Sequence, residues 1–296
     1  MSRIGVVTVT YQSGKVLEPF LACCAQQEGV AWKLYVVDNA SKDATHDILS
    51  RHAVPWMQVV LNAQNLGVAE GNNQGIRAAL EDGCSHVLLI NNDVEFPPSL
   101  FRDMLASLQR HQAQALTPRI VYHDEPHVDW FNGGRFQYAW GPDARHVEPT
   151  DPAQRQQVRA IGYAPTCCML VEASVFARVG LMDPAYFVYW DDTDFCLRML
   201  RAGQRLVCDP GISMSHKVSS LTGGLSSDFF IRHHHRNQVY YVRKHFGLGV
   251  LAYTLAASVL KAMLRVPLRG DNLRQFGLRL RSMGEGLRMP VLQRGR

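Results

Sequence analysis

What is missing from these 296 residues narrows the reading before anything present does. The seven cysteines (Cys23, Cys24, Cys84, Cys167, Cys168, Cys196 and Cys208) form no CxxC spacing. Their number is odd and several lie in apolar runs, so reduced core thiols of a cytoplasmic protein are expected, not a disulfide framework. Residues 1–11 have no basic leader followed by a long apolar block, and they read as a first strand instead of a signal peptide. No GxGxxG follows that strand, and no GxxxxGKS or GxxxxGKT occurs anywhere, so neither a dinucleotide fingerprint nor a P-loop is supported. Acidic residues are scarce after position 228. Residues 229–296 hold 13 Lys and Arg against 2 Asp and Glu, whereas residues 1–228 hold 18 against 24. The net charge of +5 therefore belongs to the C-terminal segment, which suggests an anionic partner such as a membrane surface.

What is present is a regular alternation. Strands are expected over residues 3–10, 34–37, 57–61 and 86–90, with helices over 15–27, 43–52 and 69–81, the last closed by Gly83. Short loops between them specify a parallel, doubly wound sheet, and ligands of such sheets sit at the carboxyl ends of the strands. Asp38, Asn65 and Asp93 all fall just past strand ends, where a nucleotide could lie. A helix over 99–112 and a strand over 115–121 follow. Residues 123–160 are polar with interleaved aromatics, a hairpin-like excursion with a flexible stretch near 148–159 that suits a substrate lid. A strand over 167–171, a short helix over 174–179 and a strand over 205–208 come next, the last ending in a turn at Asp209-Pro210-Gly211.

Two stretches carry the chemistry. The run 86–90 ends in Asn91-Asn92-Asp93, and Pro97-Pro98 bars continuation. A carboxylate there suits a hard divalent cation and phosphate oxygens, although an Asx-turn explains the same residues. The second is Trp190-Asp191-Asp192-Thr193-Asp194, at the start of a helix that ends by Gly203. Acidic residues are favoured in a first turn. Asp191 as N-cap with Asp194 three residues on would form a capping-box variant, and Asp194, Arg198 and Arg201 would make an ion-paired stripe. Asp192 falls on the inward face with Phe195, Cys196 and Met199 and has no evident local partner, so it is the preferred general base, with Asp191 the alternative. His216, in a polar stretch past a strand, could complete a metal site with Asp93. In residues 65–75, Gly71 and Gly75 permit close approach of a ligand or of the neighbouring strand, whereas Asn72 and Asn73 are poor helix formers.

The C-terminal segment reads as a helix over 229–246, whose three consecutive histidines point in different directions, and a helix over 248–266. In the second, Thr254, Ser258, Lys261 and Arg265 form a narrow polar stripe, and the apolar stretch before Lys261 is short for a membrane span. Such a helix packs on the catalytic domain or a partner subunit as a homo-oligomer contact, or lies in the bilayer interface with its Arg-rich tail on anionic lipid. The latter is favoured. No recognition motif accompanies the charge, so nucleic acid is not an expected partner. The division expected is a catalytic domain over 1–228 and a basic helical extension over 229–296.

Taken together, Thr8-Val9-Thr10-Tyr11, Val37-Asp38-Asn39-Ala40-Ser41, Asn65-Leu66-Gly67, Asn72-Asn73, Asn91-Asn92-Asp93 and Trp190-Asp191-Asp192-Thr193-Asp194 resemble the family 2 inverting glycosyltransferases. The branch they resemble is that of the bacterial rhamnosyltransferases and galactofuranosyltransferases, and the match runs from about residue 3 to His216. The resemblance implies an α/β GT-A fold, a nucleotide-sugar donor, Mg²⁺ or Mn²⁺, and a glycan or lipid-linked glycan acceptor at the cytoplasmic membrane face in polysaccharide biosynthesis. It assigns Thr10, Tyr11, Asp38, Asn65, Gly67, Asn73, Asn91 and Asn92 to the donor, Asp93 and His216 to the metal, and Asp192 to the base. Trp190, Gly133 and Gly134 fall to the acceptor side. Asn91 stands where the family's DxD motif has its first acid, leaving fewer charged ligands. L-rhamnose from dTDP-rhamnose is the donor the resemblance suggests. The alternatives are a catalytically weak nucleotide-sugar-binding scaffold and a sugar nucleotidyltransferase, whose Gly-rich loop Tyr11-Gln12-Ser13-Gly14-Lys15 matches poorly.

Overall fold

The structure is a computed structural model that describes residues 2–139, 141–147, 149, 151–217, 227–269 and 271–291. Its first half alternates as the sequence pattern dictates: β1 (Arg3–Thr10), α1 (Leu17–Ala25), β2 (Ala31–Asp38), α2 (Thr45–Arg51), β3 (Met57–Leu61), α3 (Gly67–Glu81) and β4 (His86–Ile90). The short β5 (Val94–Glu95), α4 (Leu100–Arg110), β6 (Ala115–Tyr122) and β7 (Asp129–Phe131) follow. A separate hairpin is made by β8 (Gly134–Gln137) and β9 (Asp143–His146), then come α5 (Pro152–Arg155), β10 (Arg159–Ala160), β11 (Cys168–Glu172) and α6 (Ala173–Val179). The chain ends in α7 (Asp191–Arg201), β12 (Leu206–His216), α8 (Asp228–His245), α9 (Leu248–Arg269) and α10 (Leu273–Arg288).

The main sheet runs β10-β12-β6-β11-β4-β1-β2-β3, with β5 added to β12 and β7 to β6. β1 pairs in parallel with β2 and β4, and β2 with β3. The sheet is mostly parallel and flanked by helices, as expected of a GT-A fold, although the alternation in the first half taken alone suggests a wholly parallel one. β11 is antiparallel to both β4 and β6, because the chain reaches it through the excursion at the carboxyl edge and not by a helical crossover, so it must run back. The central strands are apolar and closed on both faces: every residue of β4 is buried, as expected where helices cover a sheet on both sides.

One expectation is corrected. Asp209-Pro210-Gly211 is not a turn that ends a strand. β12 runs through it to His216, with a register shift between Asp209 and Ser213 against β6. A proline is tolerated at such an irregularity, where no ladder N–H is required. Between 148 and 159 the described residues include the short helix α5, capped by the Asp151 carboxylate on the Ala153 N–H at 2.9 Å; Glu148 and Thr150 lie outside the described residues.

The extension is not a loose appendage. Lys244 of α8, only 8% exposed, lies 2.7 Å from Asp183 and 2.8 Å from Asp194. His245 Nε2 lies 2.6 Å from the same Asp194. A second apolar cluster joins Tyr186, Trp190 and Leu197 to Tyr240, Tyr241 and Val242. Basic residues that look like a free patch in the sequence are thus partly spent on buried carboxylates of the first 228 residues.

Candidate active site

The carboxyl ends of β1, β2 and β4 gather the polar residues. Asp38 closes β2, is fully buried, and accepts from Thr10 Oγ1 (2.8 Å), Ser41 N (2.9 Å) and Ser41 Oγ (2.6 Å), with His46 Nε2 at 2.7 Å. Burial would raise its carboxyl, but these hydrogen bonds outweigh that and hold it below the usual range. Asp38 therefore pins the loops after β1 and β2 against each other. Tyr11, the residue after β1, is left 46% exposed at that edge.

The 65–75 segment also resolves into roles. Asn65 Oδ1 accepts from Gly67 N at 2.9 Å, an Asx-turn into α3. Gly67 has φ +83°, and a Cβ there would lie 2.4 Å from the Phe187 carbonyl oxygen, so only glycine fits. Gly71 and Gly75 approach the neighbouring strand: added Cβ atoms would meet Val9 at 2.8 Å and Val7 at 2.3 Å. Asn73 grips the backbone of Met182 with both ends of its amide, each at 2.9 Å. Asn92 likewise donates to Val9 O at 2.7 Å, and the backbone N–H of Asn91 is tied to Cys167 O at 3.0 Å.

Past β4, Asp93 meets the end of β12. His216 Nε2 lies 3.2 Å from Asp93 Oδ1, and Lys217 N donates to Asp93 O at 2.8 Å. Burial works against a charged His216, but neighbouring Cys167 and Asp93 outweigh it and the imidazole is pushed up to about 10. Its Nδ1 is buried with no hydrogen-bond partner among the described residues. Those residues contain no group of three or more His, Cys, Asp or Glu arranged for a metal. Asp93 and His216 form a pair only.

The helix α7 opens differently from the expectation. Its N-cap is Trp190 in the left-handed conformation (φ 72°), not Asp191, and Asp194 N donates to Trp190 O at 2.8 Å. No capping box forms, because the Asp194 carboxylate is taken by Arg198 (2.7 Å), Tyr186 OH (3.1 Å), Lys244 and His245. Burial opposes its charge, yet His245, Arg198 and Lys244 hold the carboxyl well below the usual range. Arg201 leaves the expected stripe and bonds His245 instead, at 3.2 Å to Nδ1 and 3.1 Å to O.

Asp191 and Asp192 both occupy the first turn. Asp191 is 4% exposed, and its Oδ2 has no hydrogen-bond partner among the described residues. Burial, and then the charge of Asp192, push its carboxyl up. Asp192 is half-buried and not without partners, as the sequence suggested. Tyr163 OH donates to Oδ2 at 2.8 Å, and Thr193 N donates to Oδ1 at 2.6 Å. Burial raises this carboxyl, partly offset by those two donors. The result is a carboxylate with a raised affinity for protons.

The decisive connection is aromatic. His216 packs edge-on to Trp130 (4.6 Å between ring centres), and Trp130 packs on His146 (5.0 Å). His146 stacks on Tyr163 (6.0 Å), whose hydroxyl holds Asp192. Trp130, His146 and Tyr163 thus form a continuous wall joining the Asp93–His216 pair to Asp192. Gly133 (φ +118°) and Gly134 lie where this wall turns into the β8–β9 hairpin. A Cβ on Gly134 would meet Tyr163 O at 2.6 Å. None of the three wall residues was singled out from sequence. The Trp130-Phe131-Asn132-Gly133-Gly134 run was the visible signal, but Tyr163 and His146 had none.

Comparison with known proteins now decides the family. Residues 5–180 match the model of "Glycosyl transferase family 2". The chain belongs to that family. It is a glycosyltransferase that takes its sugar from a nucleotide sugar. It is 27% identical over 92% of its length to an N-acetylglucosaminyl-diphospho-decaprenol L-rhamnosyltransferase of Mycobacterium tuberculosis, covering 96% of that protein. It is 25% identical over 73% of its length to the dTDP-rhamnosyl transferase RfbF of Shigella flexneri, covering 70% of it. Among solved structures, GalNAc-T7 with UDP, GalNAc and Mn²⁺ superposes with a TM-score of 0.67 at 14% identity, over 95% of this chain and 54% of that one. The mannosyltransferase PcManGT of Pyrobaculum calidifontis, with GDP-Man and Mn²⁺, gives 0.60 at 15% identity, over 98% and 81%. These likenesses carry the GT-A fold.

Proposed function

We propose that this family 2 glycosyltransferase is metal-dependent and inverting, and that it moves L-rhamnose from dTDP-rhamnose to a hydroxyl of a lipid-linked glycan at an anionic membrane surface. The observation that carries the reading is the wall from His216 through Trp130, His146 and Tyr163 to Asp192, which connects the Asp93–His216 pair to the Asp192 carboxylate. Tyr11 offers an exposed ring for a base to stack on, beside the Thr10–Asp38 anchor. Asp93 and His216 supply one carboxylate and one imidazole, a donor set that fits Mn²⁺ or Mg²⁺ when diphosphate oxygens complete it. A bound metal supplies neutralisation of charge on the departing diphosphate.

The rest falls to the chain's own groups. Asp192 Oδ2 accepts the acceptor hydroxyl proton as the hydroxyl oxygen bonds to the anomeric carbon. The bond from that carbon to the diphosphate oxygen breaks, and its electron pair leaves with the nucleoside diphosphate. Attack from the face opposite the leaving group inverts the configuration. Tyr163 and Thr193 orient the carboxylate, and no second, nucleophilic carboxylate is needed.

The membrane reading rests on α9 and α10. Residues 248–268 are long and apolar enough to cross a membrane by length and composition, with mean hydropathy 1.4; the apolar character continues past Lys261, further than the sequence reading allowed. Only the first half of its polar stripe faces inward: Thr254 and Ser258 are buried, whereas Lys261 is exposed, as are Leu248, Tyr253, Leu260, Met263 and Leu268. On α10 the exposed Leu273, Leu280 and Leu287 recur every seven residues, each followed by an exposed arginine (Arg274, Arg281, Arg288). Such an apolar face rimmed by cations suits the interface of an anionic bilayer. Donor choice is tested by turnover across a panel of nucleotide sugars with Mn²⁺, reading the product's anomeric configuration by NMR. Rhamnosyl transfer with inversion supports the proposal; retention, or turnover of other donors alone, overturns it.

A further inference from the structure

The segment joining the short 184–186 turn to α7 is strained and held from outside. Phe187, Tyr189 and Trp190 all have positive φ (64°, 62° and 72°), a region that is strained for bulky residues and persists only when surroundings enforce it. What enforces it comes from α8. The side-chain amide of Asn237, fully buried, donates to three carbonyl groups of the segment: Tyr186 O (2.8 Å), Val188 O (2.8 Å) and Tyr189 O (2.9 Å). Two amide hydrogens serve three acceptors, so the oxygens must converge on one point. Arg236 adds Nη2 bonds to Ala185 O (3.2 Å) and Tyr186 O (2.7 Å), and its Nε orients the Asn237 oxygen at 2.8 Å. Trp190 Nε1 donates to His234 Nδ1 at 3.3 Å, and Phe187 stacks on His233 at 5.3 Å.

The other side of the same segment touches the donor edge. Phe187 O accepts from Val68 N at 2.6 Å, against the glycine that α3 requires at position 67. Asp191 and Asp192 follow the segment directly. We propose that Asn237 is a positioning residue for transfer: its amide fixes the 186–190 backbone, and through it the placement of Asp192 relative to the donor edge at Gly67-Val68. This rests on Asp192 being the base.

Asn237→Ala removes every donor, Asn237→Ser restores one, and Asn237→Asp keeps the shape while removing the N–H groups. Met283→Ala, at a buried position of α10, serves as a destabilised control that leaves Asn237 and its acceptor residues unsubstituted. All are assayed with dTDP-rhamnose and acceptor at a fixed interval below each protein's own Tm, beside Asp192→Asn. The expected result is a kcat loss of about tenfold to a hundredfold for Ala and Asp, the scale of a 1 Å misplacement, with Ser intermediate. Donor Kd stays within about threefold, and the acid limb of the kcat–pH profile moves. Met283→Ala keeps wild-type kcat. Asn237→Ala matching Met283→Ala in kcat, or losing kcat and donor affinity together, overturns the positioning role. Should Asp192→Asn retain kcat, the base assignment fails, whichever way the Asn237 variants behave.

Discussion

Replacing Lys244 by methionine tests how firmly the C-terminal helices belong to the catalytic unit. The ammonium sits between two buried carboxylates, 2.7 Å from Asp183 and 2.8 Å from Asp194. Removing one partner of a buried pair costs about 3–5 kcal/mol, because the remaining charge is left uncompensated. Here the lower end applies. Asp183 keeps Tyr240 OH (2.8 Å) and the Ala185 N–H (3.0 Å), and Asp194 keeps Arg198, His245 and Tyr186. A loss of about 3 kcal/mol in denaturant unfolding is expected at pH 7. The pH dependence has a definite sign. The Asp194 carboxyl is held below its unfolded value of about 4, so its contribution is present above that value and fades as pH falls through the lower folded one. The gap between wild type and variant should therefore narrow below about pH 4. A loss under about 1 kcal/mol at pH 7, the scale of a surface pair, would refute the reasoning and leave the helices as a docked accessory.

Further expectations follow from the same geometry. Asp191→Asn removes a buried carboxyl raised by burial and by Asp192. An acid with a raised folded value destabilises the fold increasingly as pH climbs from its unfolded value to the folded one. The variant should thus gain on wild type by about 1–3 kcal/mol at pH 8, a gain that disappears near pH 4 in thermal melts; an equal effect at both pH values contradicts this. Asp93→Asn and His216→Ala should each weaken the Mn²⁺-dependent part of nucleoside diphosphate affinity at least about tenfold in calorimetric titration, leaving metal-free affinity alone; unchanged Mn²⁺ dependence removes the pair from the metal site. Glutamates at Leu260 and Met263 should abolish sedimentation with phosphatidylglycerol vesicles while leaving kcat on a soluble acceptor intact. Retained binding would turn the exposed face of α9 toward a protein partner.

The strand-end chemistry was legible because it is local. Asp38, Asn65 and Asp93 mark the ends of apolar runs, and period and terminators alone place them on one edge. The union of Asp93 with His216 was reachable only as an expectation, since 123 residues separate them in the sequence. Three things could not be read. The reversal of β11 depends on where the excursion returns, which no periodicity encodes. The partner of Asp192 is Tyr163, 29 residues away, and the partners of Asp194 are Lys244 and His245, on a helix that looked like part of a free basic tail. The left-handed Trp190 displaced Asp191 from the cap, and what holds Trp190 is Asn237 and His234, not any neighbour in the chain.

In the proposed reaction Asp192 takes the proton at a site whose donor half is built elsewhere. Single-turnover kinetics of Asp192→Asn, with donor affinity measured on the same preparation, tests this most directly. The expected result is a loss of about 10²–10⁴-fold in the transfer step, or about 3–5 kcal/mol of barrier, with donor Kd unchanged. Transfer within about fivefold of wild type, or a loss explained entirely by weaker donor binding, would contradict it.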